Sequence, residues 1–444
     1  MKLAFKQKIL IVCLSTAFTL SGCNDDDTST TASSAIASTS QTNNQQNAIG
    51  TFVSERPYTL DSLDNAKSMK VMDYTMENVH GNTITTSAFV FFPKTAKPEG
   101  GYKVVVWQHG TLGVGNDCAP TVNPMNTRFK NPLAQSLLDA GYVVIAPDYE
   151  GLGSTGIHPY LNVDSQSKST IAAVQAAQIF YADQLSKDWM TVGQSQGGQA
   201  SLGVAEYITN HPDSGYKGAI AGAPGSSINK EMMDLTTATL SSIEQQEIAA
   251  GLSVADRQNG SINVLATLLT YSSFLAVSLK ALDPHFDYKT LFTNDRTRNI
   301  VALAEGSTGE DGLCLDSNLA SEPEKGLRYR FIHDISAFLT ENPDKSINDY
   351  HVFDSSSFYN NPNIIRAIAD AKIGGVKIST PIMIIQGTED TSIPYSINDA
   401  LQQKYKELGN DVTFVPAVGA THTQAIVQKN PELLAFIQSK MPAQ

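Results

Sequence analysis

Short uninterrupted apolar runs alternate with helix-length amphipathic stretches along most of the chain. Residues 102–108 carry Val104-Val105-Val106-Trp107, and residues 141–147 carry Val143-Val144-Ile145-Ala146 before Pro147. Runs this short, bounded by Gly or Pro, read as strands covered on both faces. A helical pattern at 131–140 lies between them. Strand, helix, strand is the signature of a parallel sheet. The alternation continues with a helix at 167–184, whose apolar stripe is Ile171, Val174, Ala177 and Ile179 or Phe180. A strand running into Val192 and a small-residue strand at 217–222 follow. Strands at 378–386 and 412–418 and helices at 395–408 and 423–441 complete the pattern. Ahead of all these, 70–76 and 82–93 are β-rich runs joined by His80-Gly81-Asn82, which predicts an antiparallel hairpin. The count is eight strands in a mostly parallel sheet flanked by helices, an α/β fold.

Between residues 225 and 375 the alternation stops and helix-like segments dominate. Roughly 150 residues between two strands are too many for a loop, so they predict a large helical cap inserted between strands 6 and 7. Its run 261–279 has no charged residue. Asn263 and several serines and threonines argue against a membrane span and for a helix buried on the main domain, one face of which is available to line an acyl pocket. The core is then 49–224 and 376–444, with the cap at 225–375.

The amino terminus has a different character. Lys2, Lys6 and Lys8 precede an apolar run from Ile9 to Leu20, and Leu20-Ser21-Gly22-Cys23 follows. A basic start with a short apolar run is a secretory signal, here residues 1–22. The tetrapeptide resembles a bacterial lipobox, which implies cleavage before Cys23 and lipidation of its sulfur and of the new amino terminus. Acyl chains contribute about 0.8 kcal/mol per buried CH₂, enough for firm anchoring to a membrane. Residues 23–48 are rich in Ser, Thr, Ala, Asn and Gln and almost free of large apolar side chains, the composition of a flexible tether. The expected place is the cell envelope, and Asn24 after the lipidated cysteine points to the outer membrane.

The whole chain has 444 residues, 41% hydrophobic and 17% charged, and a formal charge of −13. Loss of the three signal lysines makes the mature charge more negative still. An acidic chain of this kind offers nothing to nucleic acid. Of four cysteines, Cys13 leaves with the signal and Cys23 carries lipid. Cys118 and Cys314 remain, and in an oxidising compartment they predict a disulfide; two buried thiols are the alternative.

The chemistry centres on Val192-Gly193-Gln194-Ser195-Gln196-Gly197-Gly198-Gln199. A G-x-S-x-G pattern between a strand and a helix places Ser195 on a sharp turn, with glycines where a Cβ would strike adjacent backbone. The amide of Gln196 then points at an oxyanion from the start of the helix. A nucleophilic serine needs a base and an acid that orients the base, in this architecture in the order serine, acid, histidine. Gln386-Gly387-Thr388-Glu389-Asp390 ends one later strand and Gly419-Ala420-Thr421-His422 the next. Of eight histidines, His422 alone has both the order and the position. Gln108-His109-Gly110-Thr111-Leu112 follows a buried strand, and its turn offers a second oxyanion donor in the amide of Thr111, with Leu112 close behind. His109 itself reads as structural.

The elbow, the His-Gly turn, the acid and the histidine, in this order, resemble the α/β-hydrolase family over residues 50–444. Gly387-x-x-Asp390-x-x-Ile393-Pro394 resembles the family's acid loop and selects Asp390 over Glu389. Trp107-Gln108-His109-Gly110-Thr111 with Asp117-Cys118-Ala119-Pro120, Pro147-Asp148-Tyr149-Glu150-Gly151-Leu152-Gly153 and the large cap resemble its secretory lipase branch. The resemblance implies hydrolysis of carboxylic esters through an acyl-enzyme, on a small-molecule or lipid ester, with no cofactor and no metal. Amide or peptide cleavage by the same triad, and a non-catalytic lipid-binding lipoprotein, are the rival readings. Gly151-Leu152-Gly153-Ser154-Thr155-Gly156 satisfies G-x-G-x-x-G, but Pro147-Asp148-Tyr149-Glu150 separates it from its strand and no helix opens within it, so it is no dinucleotide site. Oligomeric state is not legible.

Overall fold

The computed structural model describes residues 49–226, 230–317 and 322–444. The expected signal at 1–22, the expected tether at 23–48 and Cys23, the expected site of lipidation, lie outside the described residues. The described strands are β1 (Phe52–Pro57), β2 (Ala66–Glu77), β3 (Thr83–Pro93), β4 (Tyr102–Gln108), β5 (Val143–Pro147), β6 (Leu185–Gln194), β7 (Tyr216–Gly222), β8 (Ile382–Gly387) and β9 (Val412–Ala417). They form one sheet in the order β1-β2-β3-β5-β4-β6-β7-β8-β9. The first three strands run antiparallel to their neighbours, and pairing from β5 to β9 is parallel.

The sheet therefore has nine strands rather than the expected eight. The additional one is β1, whose sequence Phe-Val-Ser-Glu-Arg-Pro is mostly exposed and has no apolar run to announce it. It pairs on the open edge of β2, where Lys70 reaches Glu55 at 2.5 Å and Arg56 reaches Asp73 at 2.8 Å. The large insertion falls at the expected place, now between β7 and β8.

Alternation along the central strands divides the core. Val104, Val106, Ile382 and Ile384 face one side of the sheet, with α2 (Val163–Phe180) and α3 (Gln196–Asn210) against them. Val105, Trp107, Met383 and Ile385 face the other. There they meet α1 (Gln135–Asp139), α11 (Gln424–Gln428) and α12 (Asn430–Lys440). This is the period-2 pattern of strands covered twice. Two helix expectations need correction. On α2, Val174 and Ala177 are buried as expected, but the inward face continues through Ala172, Ala173 and Ala176; Ile179 is 69% exposed and Phe180 45%. Phe180 instead stacks on Phe52 of the unforeseen β1, with ring centroids 3.6 Å apart. The last helix is split into α11 and α12, because Pro431 lacks an N–H donor and is accommodated only in the first turn of a new helix.

Between β7 and β8 lie α4 (Lys230–Ala249), α5 (Ser261–Leu282), α6 (Asp295–Glu305), α7 (Leu327–Glu341), α8 (Ser355–Tyr359) and α9 (Pro362–Asp370). They enclose an apolar cluster of their own, with Ile262, Phe274, Val277, Phe331 and Ile335 fully buried. Helix α5 is long and apolar enough to span a membrane, yet 67% of its apolar window is buried among its neighbours. Four of its hydroxyls are satisfied within the helix: Thr267, Thr270, Ser272 and Ser273 each donate to the carbonyl four residues back, at 2.7 to 3.0 Å. Cap and core are joined covalently. Cys118, in the loop after β4, is bonded to Cys314, with Cα atoms 5.4 Å apart across 196 residues of sequence. After β8 and β9, α10 (Tyr395–Glu407) and the pair α11–α12 complete the core.

Candidate active site

The elbow between β6 and α3 is built by close approach of backbone to backbone. A Cβ on Gly193 would lie 2.0 Å from the carbonyl oxygen of Gly197, and one on Gly197 would lie 1.9 Å from that of Gln108. Neither position admits any other residue. Between them Ser195 takes φ 60° and ψ −119°, a left-handed conformation rare outside glycine. It is held there by its amide donating to the Gly222 carbonyl at 2.8 Å and by Gly225 N–H donating to its own carbonyl at 3.2 Å. The strain is stored where the side chain must be presented.

The structure brings together the three residues expected to work as a unit. His422 Nε2 lies 2.8 Å from Ser195 Oγ, and His422 Nδ1 lies 2.8 Å from Asp390 Oδ2. With Nδ1 protonated, the ring donates to Asp390 and accepts from the serine hydroxyl. The Asp390 side chain is fully buried. Its Oδ1 accepts from the amides of Ser392 and Ile393, both at 2.9 Å, and its Oδ2 accepts from Gln386 Nε2 at 3.0 Å. Glu389, the alternative acid, is exposed.

The His-Gly turn after β4 passes directly over the elbow. A Cβ on Gly110 would lie 3.5 Å from Ser195 Cβ. Among the described residues, neither the Thr111 amide nor the Gln196 amide donates to a protein acceptor. The Thr111 hydroxyl is 2.8 Å from the Tyr160 hydroxyl. His109 is structural in its contacts: its ring nitrogens face the carbonyls of Gly110 and Asp148 at 2.7 and 3.2 Å, its ring packs on Tyr149, and burial pushes its pKa down.

Sequence reasoning missed the glutamines. Gln194 Nε2 donates to the His422 carbonyl at 3.2 Å, tying the histidine loop to the elbow. Gln196 Nε2 contacts His158 Nε2 at 2.8 Å and Gln166 Oε1 at 3.0 Å. Glutamines flanking a serine carry no signal of such partners, which lie 30 and 38 residues away along the chain.

Ser195, 9% exposed, opens on a cavity of about 70 Å³ between core and cap. Leu268 and Leu275 of α5, Phe358 of α8, Leu161 and Ile393 line it, so α5 does present one face to the site. A larger depression beside Lys168, Tyr207 and His211 lies away from this chemistry. Among the described residues no cluster of His, Cys, Asp or Glu has the makings of a metal site. The G-x-G-x-x-G stretch is a loop, with Gly151 packed so tightly that a Cβ would lie 2.4 Å from the His158 amide.

The fold has close likenesses among solved structures. The rice cell wall degrading esterase LipA of Xanthomonas oryzae, in a ligand-bound form, superimposes with a TM-score of 0.61 at 18% identity, over 88% of this chain and 98% of that one. The closed state of Candida antarctica lipase A gives 0.61 at 15% identity, over 88% and 82%. The chain has the α/β-hydrolase fold. Within this hydrolase fold, residues 119–257 match the secretory lipase family, a stretch that runs from the disulfide loop through the elbow into the cap. No curated protein matches the sequence.

Proposed function

We propose that this protein hydrolyses carboxylic esters through an acyl-enzyme on Ser195. The observation that carries the reading is the Ser195–His422–Asp390 hydrogen-bonded chain at the floor of an apolar cavity, with the Thr111 and Gln196 amides unengaged beside it. The match to secretory lipases and the esterase and lipase among its structural neighbours favour an ester over an amide.

Ser195 Oγ attacks the ester carbonyl while His422 Nε2 takes its proton. Asp390, its charge held by two backbone amides and Gln386, stabilises the imidazolium and keeps its orientation. The Thr111 and Gln196 amides receive the oxyanion, each worth about 3 kcal/mol of transition-state stabilisation. His422 returns the proton to the departing alcohol, then activates the water that releases the acid.

Replacing Ser195 by Ala in the full chain should lower hydrolysis of p-nitrophenyl esters by about 10⁴-fold or more, with the thermal midpoint maintained. Unaltered hydrolysis would remove Ser195 from the mechanism. We also propose that the protein works at the outer membrane as a lipoprotein attached through Cys23, a reading supported by Leu20-Ser21-Gly22-Cys23. Incorporation of labelled palmitate that persists in Cys23→Ser would refute it.

A further inference from the structure

The cavity above Ser195 contains polar atoms that the protein does not satisfy. Their identity follows from the buried His158. Its Nδ1 lies 2.7 Å from the Glu150 carbonyl, which only accepts, so Nδ1 carries the proton. Burial pushes the pKa of His158 down to about 3, leaving Nε2 a bare acceptor at neutral pH. The Gln196 atom beside it is therefore the amide nitrogen, whose second N–H goes to Gln166 Oε1. The chain of amides runs on in the same sense, Gln166 donating to Gln199 at 3.4 Å and Gln199 to the Ala371 carbonyl at 2.6 Å.

With both N–H groups committed, Gln196 Oε1 is left over. Among the described residues it accepts no hydrogen bond, and it is not sealed away from the cavity that Gln196 lines. Tyr271 of α5 and Ser392 line the same cavity, and among the described residues their hydroxyls also have no hydrogen-bond partner. The remaining wall is largely apolar. A plain alkyl chain settling there strips water from the Gln196 carbonyl and returns nothing, whereas a substrate hydroxyl restores the bond.

We infer that the site selects esters bearing a hydroxyl group near the scissile bond, on the acid or the alcohol side, with Gln196 Oε1 as its acceptor. The inference rests on the ester-hydrolase reading above and adds the substrate class. Three small esters test it: ethyl butyrate, ethyl 3-hydroxybutyrate and 2-hydroxyethyl butyrate, with each kcat/KM divided by the rate of hydroxide-catalysed hydrolysis of the same ester.

At least one hydroxylated ester should be favoured over ethyl butyrate by about tenfold. That preference should fall to about twofold or less in Gln196→Leu, which keeps the backbone amide. No preference in the wild type, or a preference that survives Gln196→Leu intact, overturns the inference. Should Gln196→Leu fold poorly, Gln196→Met removes the same acceptor while keeping the length of the side chain; a reduced preference supports the assignment and an undiminished one overturns it. Failure to cleave any of the three refutes ester hydrolysis itself, while cleavage of ethyl butyrate without preference refutes only the hydroxyl selection.

Discussion

The elbow and the cap meet at one cavity and are built on opposite principles. Around Ser195 the tolerances belong to the main chain: Gly193 and Gly197 sit where a Cβ would fall about 2 Å from a carbonyl oxygen, and β4, β6 and β7 hold the turn from three sides. In the cap, helices pack through side chains around a separate apolar cluster, and the hydroxyls of Thr267, Thr270 and Ser273 turn back on their own helix, α5. Backbone cannot be varied without losing the fold, whereas side chains on a helix face can. The Ser195–His422 contact is thus anchored in the rigid layer, and much of the cavity wall lies in the layer open to change.

The contrast is sharpest at Gly197. Gly197→Ala should destabilise the protein by more than about 4 kcal/mol, read as lost soluble yield or a collapsed urea midpoint. A variant that folds normally would show that the elbow can give way. Next in size is the covalent tie between the two regions. Cys118→Ser with Cys314→Ser should cost about 3 kcal/mol and lower the thermal midpoint, and an unchanged midpoint would mean that cap and core hold together without it.

The polar network beneath the elbow should respond to pH. His158 is depressed to about 3 in the fold from an ordinary value near 6.5, so the unfolded chain binds its proton first as pH falls. Stability present above pH 6.5 is therefore lost on acidification towards pH 3. Between pH 7 and 5 the wild type should lose about 2 kcal/mol more than His158→Gln in denaturant titrations. Equal losses would mean that the ring is not held neutral. The smallest effect belongs to the exposed end of α2: Ile179→Ser should change stability by about 0.5 kcal/mol or less, and a larger loss would show that this face is covered after all.

What the sequence determined by itself is whatever repeats locally or is bounded by stereochemistry. Covered strands announce themselves as apolar runs, so β4, β5 and β8 were legible, as was the break in alternation that marks the cap. Glycines on either side of Ser195 betray the elbow, and the order of strand ends singled out His422 and the Glu389-Asp390 pair, from which the family likeness chose the aspartate that the structure sets against the ring. Counting cysteines paired Cys118 with Cys314.

Tertiary structure decided what depends on a distant partner. Strand β1 is a strand because β2 offers it an edge, and no pattern in Ser54-Glu55-Arg56 says so. Ile179 faces water because α2 ends its inward face earlier than helical spacing alone implies. Gln196, Gln166, Gln199 and His158 are unremarkable polar residues until folding removes water from them. Only then must each donor find an acceptor, and only then does one carbonyl oxygen remain over, open to whatever enters the site.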